Sequence, residues 1–383
     1  SAAQSAPARS SPSTASTSPS MRRISSACGG MVSRFISSKY SERGEEPPAL
    51  HESLAERDCF GPAAVQQAPY ERQVVRRGTL MHNCVDEVGL ALTDPAAFRH
   101  CYTVLRPVYD PYFALLARDK GAALITETTV TSLIRKSGQV IGVSTDRGPL
   151  YAGVVFLAEG DASHLVRAED LERAKQPHFL QCVKAVLSLP SEEIEKRFNL
   201  RNGEGAAYEI LIRNGLLGGR TAKLNLGGFL YTNKDSLSLG YVVPLDNLKK
   251  NYRGDHSLLL EWMRSLPHLK DLTAGAQISS YGTKLVRGGG WSERPELIEN
   301  GLVVGGASAG LGIDIPFPNF TGPASATGLY FARAVKALLS DGKSFDKHNL
   351  SEAYSRPLEA SVYGRNAKYL SRWPSYFGRS SVL

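Results

Sequence analysis

The sequence predicts an α+β protein in which one discontinuous domain encloses a β-rich insert. Three observations support this prediction. Short β-branched or alternating runs follow a well-punctuated helix, a hairpin pattern lies in the middle of the chain, and a strand, a glycine-rich turn and a helix come near the end. With 383 residues, 42% of them apolar, the chain is long enough for two or three domains and a large core.

The first helix is predicted from Pro107 to Gly121. Asp110 can cap its first turn, Pro111 suits the first helical position, and Gly121 stands just past its end. Short strands are predicted after this helix, between turn residues, at 123–126, 129–135, 139–145 and 150–157. They indicate a small antiparallel sheet that leads into a buried strand.

The β-rich insert is predicted over residues 176–284. It contains a strand at 182–189, a hairpin at 228–243 that turns at 233–235, and a helix that starts after Asp255. The apolar residues of this helix recur at helical spacing, so one of its faces is predicted to lie in a core.

The other predicted parts flank this insert. A strand at 302–304 precedes a glycine-rich turn, and a helix at 323–339 follows it. The predicted divisions are a leader at 1–25, an enclosing domain at 26–175 and 285–345, and a C-terminal helix with a basic, aromatic tail at 346–383.

The composition excludes several classes of function. No apolar run reaches the roughly 18 residues that a transmembrane helix needs. The five cysteines are Cys28, Cys59, Cys84, Cys101 and Cys182. They lie far apart without any Cys-x-x-Cys spacing, so neither a metal site nor an iron–sulfur cluster is expected. The formal charge of +8 comes from basic residues that are spread along the chain, which argues against a nucleic-acid partner.

The leader has an unusual composition. Residues 1–20 are almost entirely Ser, Ala, Pro and Thr, and Arg22 and Arg23 follow them. This composition is typical of the remnant of an organellar presequence, and it predicts a mitochondrial location. An ordinary disordered tail or a true structural arm are the alternatives.

Several strings are more informative than any composition. The run from Tyr102 to Arg106, the run from Val155 to Ser163 and the run from Gly228 to Ser236 resemble, in this order, the FixC and geranylgeranyl-reductase group of flavoproteins. This group includes electron transfer flavoprotein-ubiquinone oxidoreductase, and FixC is the nearest likeness. The resemblance covers about nine-tenths of the chain and implies a glutathione-reductase-like FAD/NAD(P)-binding fold with a β-rich second domain.

Two departures from the family pattern bear on FAD binding. No Gly-x-Gly-x-x-Gly turn occurs before Gly203, and the resemblance starts only near Gly29 and Gly30, so the N-terminal βαβ unit is predicted to be missing. Near the end, where the family has Gly-Asp-x-x-Gly, the chain has Gly306 or Ala307 in place of the Asp. The resemblance therefore implies a degenerate FAD site, with no cofactor the first expectation and FAD the expectation for an active protein.

The vestigial FAD positions are those that match the family's contacts, namely Gly29, Gly30, Arg106, Gly160, Ser163, Gly306, Ala307 and Gly310. No catalytic residue is assigned. The run 306–310 also matches the Gly-x-Ser-x-Gly turn of hydrolases, but prolines at 316 and 318 oppose the helix that such a turn requires.

The predicted function is a non-catalytic, FixC-like accessory subunit of a respiratory-chain complex at the matrix side of the mitochondrial inner membrane. The alternative is an active FAD-dependent quinone oxidoreductase or polyprenyl reductase whose FAD anchor is supplied elsewhere. The leader and the tail are the predicted contacts with other subunits, since Trp373, Tyr376 and Phe377 alternate with basic residues there. An anionic lipid surface is a second partner for the tail, and a solvated tail is the alternative.

Overall fold

A computed structural model gives the fold of the chain. It describes residues 62–370, with the exception of 83–86, 97, 99–100, 175–177, 213–215, 218–219, 222–223, 225, 253 and 313–319. The predicted leader, Gly29, Gly30 and the tail from 371 onward therefore lie outside the described residues.

A seven-stranded mixed sheet is the largest element. In the order in which they pair, its strands are β13 (Gln277–Arg287), β7 (Phe179–Ser188), β12 (Ser236–Pro244), β11 (Leu226–Thr232), β8 (Glu204–Ile212), β1 (Gln73–His82) and β2 (Glu87–Thr93). Adjacent strands are antiparallel, except that β1 and β8 are parallel. The predicted hairpin is thus present as β11 and β12.

One face of this sheet is buried under helices. Val183, Ala185 and Leu187 alternate along β7 and are fully buried, as a half-covered strand requires. The covering helices are α4 (Ser191–Phe198), α5 (Leu245–Asn251), α6 (His256–Arg264) and α7 (Pro267–Thr273). Asp255 caps α6 by accepting from the Ser257 amide at 2.8 Å, which confirms the predicted start of this helix.

A second core joins distant parts of the chain. It lies between two three-stranded sheets. The antiparallel sheet consists of β3 (Val130–Lys136), β4 (Gln139–Thr145) and β5 (Gly148–Tyr151). The second sheet has the order β14 (Ile298–Glu299), β15 (Leu302–Val304) and β6 (Val155–Leu157), and its strands β15 and β6 are parallel. The predicted strand at 302–304 has the same bounds as β15.

Helices pack on this second core. They are α3 (His164–Ala168), α8 (Thr321–Ser340), α9 (Lys347–Leu350), α10 (Arg356–Ala360) and α11 (Val362–Leu370), with a π-helical turn at Ser351–Ser355. The remaining elements are α1 (Pro62–Gln66), α2 (Arg106–Asp119) and the short strands β9 (Leu216–Leu217) and β10 (Arg220–Thr221).

The first predicted helix is present as α2, but its start is different. The helix begins at Arg106, and Pro107 rather than Pro111 lies in its first turn. Pro107 has the fixed φ that suits this position, so the helix can begin one turn earlier. Asp110 does not cap the helix and instead pairs with Arg106 across one turn.

The predicted strands around α2 also need correction. Residues 123–126 form no strand, because no backbone–backbone hydrogen bond joins them to another described residue. A β-branched run is not enough without a neighbour that completes the ladder. The predicted strand at 150–157 is divided into β5 and β6, which lie in different sheets.

Across the described parts of the chain, no helix combines the length and the apolar character that crossing a bilayer demands.

Candidate cofactor site

Two glycine turns meet at the carboxyl ends of β6 and β15. Because these strands are parallel neighbours, the turn at Gly160 and the turn at Gly306 leave the sheet at the same edge. The Ser308 hydroxyl donates to the Gly160 carbonyl at 2.8 Å and ties the two turns together. We refer to residues 158–163 and 305–310 as the glycine junction.

The conformation of Gly306 excludes most side chains. Its φ is +61°, and a Cβ at this position would lie 3.1 Å from the Cβ of Ala158. The Gly306 amide donates to the Thr327 hydroxyl of α8 at 2.6 Å. A left-handed backbone, a tight neighbour and an engaged amide therefore favour glycine here over the Asp of the family pattern.

Phe156 fills the space beside Gly305. Its ring stacks on Phe331 of α8 with centroids 4.5 Å apart, and a Cβ on Gly305 would lie only 1.9 Å from the ring. The junction is thus packed against α8 by an aromatic pair and by the Thr327 hydroxyl. These side chains belong to the chain itself and occupy two sides of the β15 turn.

The other turn holds its own carboxylate. Glu159 accepts from the Ser163 hydroxyl at 2.7 Å and from the amides of His164 and Leu165 at 3.0 and 2.9 Å. Ser163 in turn caps α3 by accepting from the Val166 amide at 3.3 Å. The first amides of α3 are therefore satisfied within the chain.

Asp161 lies deeper in the junction, with its side chain 7% exposed. It accepts from the Arg287 amide at 3.3 Å, and Lys284 Nζ stands 3.8 Å from its other oxygen. Burial raises the pKa of Asp161, although the Arg287 amide and Lys284 both favour the ionised form. Lys284 also lies nearest to the open side of Gly160, where its Nζ would be 3.9 Å from a Cβ.

A cationic and aromatic cluster lies on the face of the large sheet opposite to its covering helices. Phe229 and Tyr231 stack with centroids 5.0 Å apart, and Lys184 Nζ lies 5.6 Å from the centre of the Tyr231 ring. Burial lowers the pKa of Lys184, and the positive charge of Arg106 lowers it further. Arg106 therefore stands near Lys184, at the start of α2.

The structure brings some predicted positions together and leaves others apart. Gly160, Ser163, Gly306, Ala307 and Gly310 all belong to the glycine junction, and the Gly310 amide donates to Ala307 at 3.0 Å. Arg106 instead lies near Lys184 of the aromatic cluster, whose pKa its charge lowers. Gly29 and Gly30 are outside the described residues.

Sequence reasoning missed Phe156, Asp161 and Thr327. All three act through partners more than 20 positions away along the chain or through burial, so no short pattern identifies them. Thr327 lies within the run of small residues at 322–328. A β-branched hydroxyl residue in such a run is the one local feature of the sequence that indicates a buried hydroxyl there.

The junction does not fit FAD as the family pattern would hold it. Both junction carboxylates are engaged, Glu159 by α3 and Asp161 by Arg287 and Lys284. Position 306 offers no carboxylate and its amide is taken by Thr327. In the described part of the chain, no group of three His, Cys, Asp or Glu side chains is placed to hold a metal ion.

The chain is similar to bacterial flavoproteins of known family. It is 32% identical over 319 residues to protein FixC of Azorhizobium caulinodans, covering 81% of this chain and 71% of that protein. It is 30% identical over 320 residues to the probable electron transfer flavoprotein-quinone oxidoreductase YdiS of Escherichia coli, covering 82% and 72%. No family profile matches the chain.

Solved structures share the fold at lower identity. A geranylgeranyl bacteriochlorophyll reductase-like protein of Thermoplasma acidophilum matches with a TM-score of 0.57 and 16% identity, over 79% of this chain and 72% of that one. The flavin-dependent brominase Bmp2 matches with a TM-score of 0.61 and 15% identity, over 85% and 77%. The mixed α/β flavoprotein fold and the predicted kinship are thus confirmed: the chain belongs to the FixC family of flavoproteins, which are related to electron transfer flavoprotein-quinone oxidoreductases.

Proposed function

We propose that the chain is a non-catalytic member of the FixC family that serves as an accessory subunit of a larger assembly. The observation that carries the proposal is the backbone of Gly306, whose φ of +61° and 3.1 Å approach to Ala158 disfavour a side chain such as the Asp that the family has at 306 or 307. A site that lacks this carboxylate loses a polar contact with FAD. Since each tenfold loss of affinity corresponds to about 1.4 kcal/mol, the loss of one charged hydrogen bond weakens binding by roughly tenfold to a hundredfold.

The packing around Gly306 supports the same proposal. Phe156, Phe331 and Thr327 stabilise the junction without a ligand, since they fill the side of Gly305 and satisfy the Gly306 amide. A junction stabilised in this way keeps the fold while FAD binding is lost. The fold alone does not fix an activity.

An exposed apolar surface supports a role in an assembly. Val108 and Leu115 are 53% and 41% exposed on α2, and Leu124 and Ile125 are 47% and 55% exposed just after it. Large apolar side chains gathered in this way mark a surface that another protein covers. We propose that a partner subunit covers α2 and residues 123–126, in addition to the predicted contacts through the leader and the tail.

The proposed setting is a respiratory-chain complex at the mitochondrial inner membrane. The leader composition supports this location, and the relatives named as quinone oxidoreductases support a membrane-associated redox assembly. Fractionation of cells that carry a tagged full-length protein tests the proposal. Recovery with the inner membrane, in a particle much heavier than the chain, is expected, whereas recovery as a free protein in another compartment would refute it.

A second candidate function is FAD-dependent electron transfer with the FAD anchor supplied by another chain. One observation favours it: Gly160 has a φ of +90°, and among the described residues beyond its chain neighbours only Lys284 Nζ, at 3.9 Å, lies within 4 Å of its Cβ position. Lys184 and Arg106 add positive charge near the stacked Phe229 and Tyr231. An anionic or planar group could contact these residues.

The flavin content of the protein distinguishes the two candidates. The protein purified from its native complex is denatured, and the released flavin is measured by fluorescence against protein concentration. FixC of Azorhizobium caulinodans, treated in the same way, is the control. We expect no flavin above background; one FAD for each chain would establish the second candidate and overturn the first.

A further inference from the structure

The terminal strand β13 has an open edge. It is hydrogen bonded to β7, and no other described strand pairs with it. The side chains from 277 to 284 are all exposed, so both faces of the strand are uncovered there as well as its edge. A strand edge presents backbone donors and acceptors in a row, which is the usual template for pairing with another strand.

The open edge has few of the features that keep sheet edges apart. Residues 277–287 contain neither a proline nor an acidic residue. The positive charge of Lys284 lies 3.8 Å from Asp161, and Arg287 is buried against Glu172, so both are engaged within the chain. Two protective features are present, the exposed Lys284 and a bulge between Ile278 and Ser280, and the strand is regular from Ser280 onward.

Apolar side chains accompany this edge on the helix side of the sheet. Ile278 and Tyr281 are 47% and 43% exposed, and their partners on β7 are the buried Leu187 and Ala185. Asp255, the cap of α6, is close enough to raise the pKa of Tyr281, which adds to the effect of burial. The start of α6, where Leu258 is 62% exposed, therefore belongs to the same surface.

We propose that β13 pairs with β13 of a second copy of this chain to form a two-fold symmetric dimer. Identical strands in antiparallel register satisfy each other's backbone groups, because a two-fold axis brings the same edge to itself. The charges fit this occupant: every axis position between Ser280 and Gly282 places Lys284 opposite an uncharged residue of the other copy. The exposed ammonium of Lys284 therefore meets no like charge across the pair.

The dimer has a consequence for the rest of the molecule. An axis perpendicular to the sheet joins two seven-stranded sheets into one continuous sheet. The sheet faces with Lys184 and Tyr231 then lie on the same side of the dimer. The dimer contact uses β13, whereas the proposed accessory role uses α2 and residues 123–126, so the two proposals depend on different residues.

Light scattering after size exclusion tests the dimer with the full-length chain. Tyr281→Lys places like charges close to each other across the axis and should weaken dimerisation by roughly tenfold or more. Leu92→Lys is the matched control, because Leu92 is 59% exposed on β2, the opposite edge strand, and this variant should remain dimeric. Circular dichroism verifies that both variants are folded.

Disulfide capture gives a second measurement. Ser280→Cys, Tyr281→Cys and Gly282→Cys are oxidised separately, and directly opposed strand residues lie about 4.5–5.5 Å apart, close enough for a disulfide. At least one variant should form a covalent dimer much faster than the Leu92→Cys control. A monomeric wild-type chain at micromolar concentration, a dimer unaffected by Tyr281→Lys, or no capture at any of the three positions would overturn the proposal.

Discussion

Gly306→Asp tests the glycine junction most directly, because it places a carboxylate at 306, one of the two positions, 306 and 307, that match the Asp of the family pattern. Two costs follow from the structure. At a φ of +61°, a side chain strains the backbone by about 1 kcal/mol. The new Cβ also lies 3.1 Å from the Cβ of Ala158, which cannot rotate away, and overpacking of this kind costs about 1–3 kcal/mol.

The expected loss in the free energy of unfolding is therefore about 2–4 kcal/mol. Gly342→Asp is the matched control, since its φ is +63° but nothing lies within 4 Å of its Cβ position. It should lose only the backbone strain of about 1 kcal/mol. Gly306→Ala adds the same Cβ without charge, so it should show most of the effect of Gly306→Asp.

Urea unfolding followed by circular dichroism measures these differences. If Gly306→Asp and Gly342→Asp lower the free energy of unfolding by amounts within about 0.5 kcal/mol of each other, the contact with Ala158 has no cost and the prediction is wrong. The flavin content of Gly306→Asp is a second readout. We expect the flavin content to remain at background. The left-handed backbone at 306 does not direct the new carboxylate as a turn without glycine at this position would.

Three further predictions concern charges and surfaces. Arg72→Met should cost about 3–5 kcal/mol in urea unfolding, since the buried guanidinium donates to Asn233 at 2.7 Å and Glu195 at 3.0 Å. The lowered pKa of Lys184 means that the folded chain binds fewer protons there than the unfolded chain. Lys184→Met should therefore raise the thermal midpoint at neutral pH, with a gain that fades as the pH approaches about 10.4. Lys284→Met removes the positive charge beside Asp161, which keeps the Arg287 amide, and should lower the midpoint. Ile125→Lys should change the unfolding free energy by less than about 0.5 kcal/mol yet reduce recovery in the native complex, as measured by co-purification.

Local patterns predicted some regular elements, whereas four strands of the large sheet, β1, β2, β8 and β13, were not predicted. The strand at 302–304, the hairpin around 233–235 and the helix after Asp255 depend on alternation, turn residues and a cap, all of which lie within a few positions of one another. The stretch at 123–126 has the same strand-like composition. It forms no strand because hydrogen bonding to a neighbour, rather than composition, decides its state.

The site was less predictable than the fold. The resemblance to FixC identified Gly160 and Gly306, but not the groups that engage them. Ser308 reaches across 148 positions to the Gly160 carbonyl, and the Phe156 ring comes from another strand to lie beside Gly305. Contacts of this range depend on the parallel pairing of β6 with β15, which no sequence period reveals.

The changes at the junction support one another. With the Asp of the family pattern, position 306 would need space toward Ala158 and a ligand or donor for the carboxylate. With glycine, the backbone can take φ +61°, which directs its amide to Thr327 at 2.6 Å. The Phe156 and Phe331 pair then fills the neighbouring space at 4.5 Å. Each of these features makes a carboxylate at 306 harder to accommodate, so Gly306→Asp alone is not expected to create FAD binding.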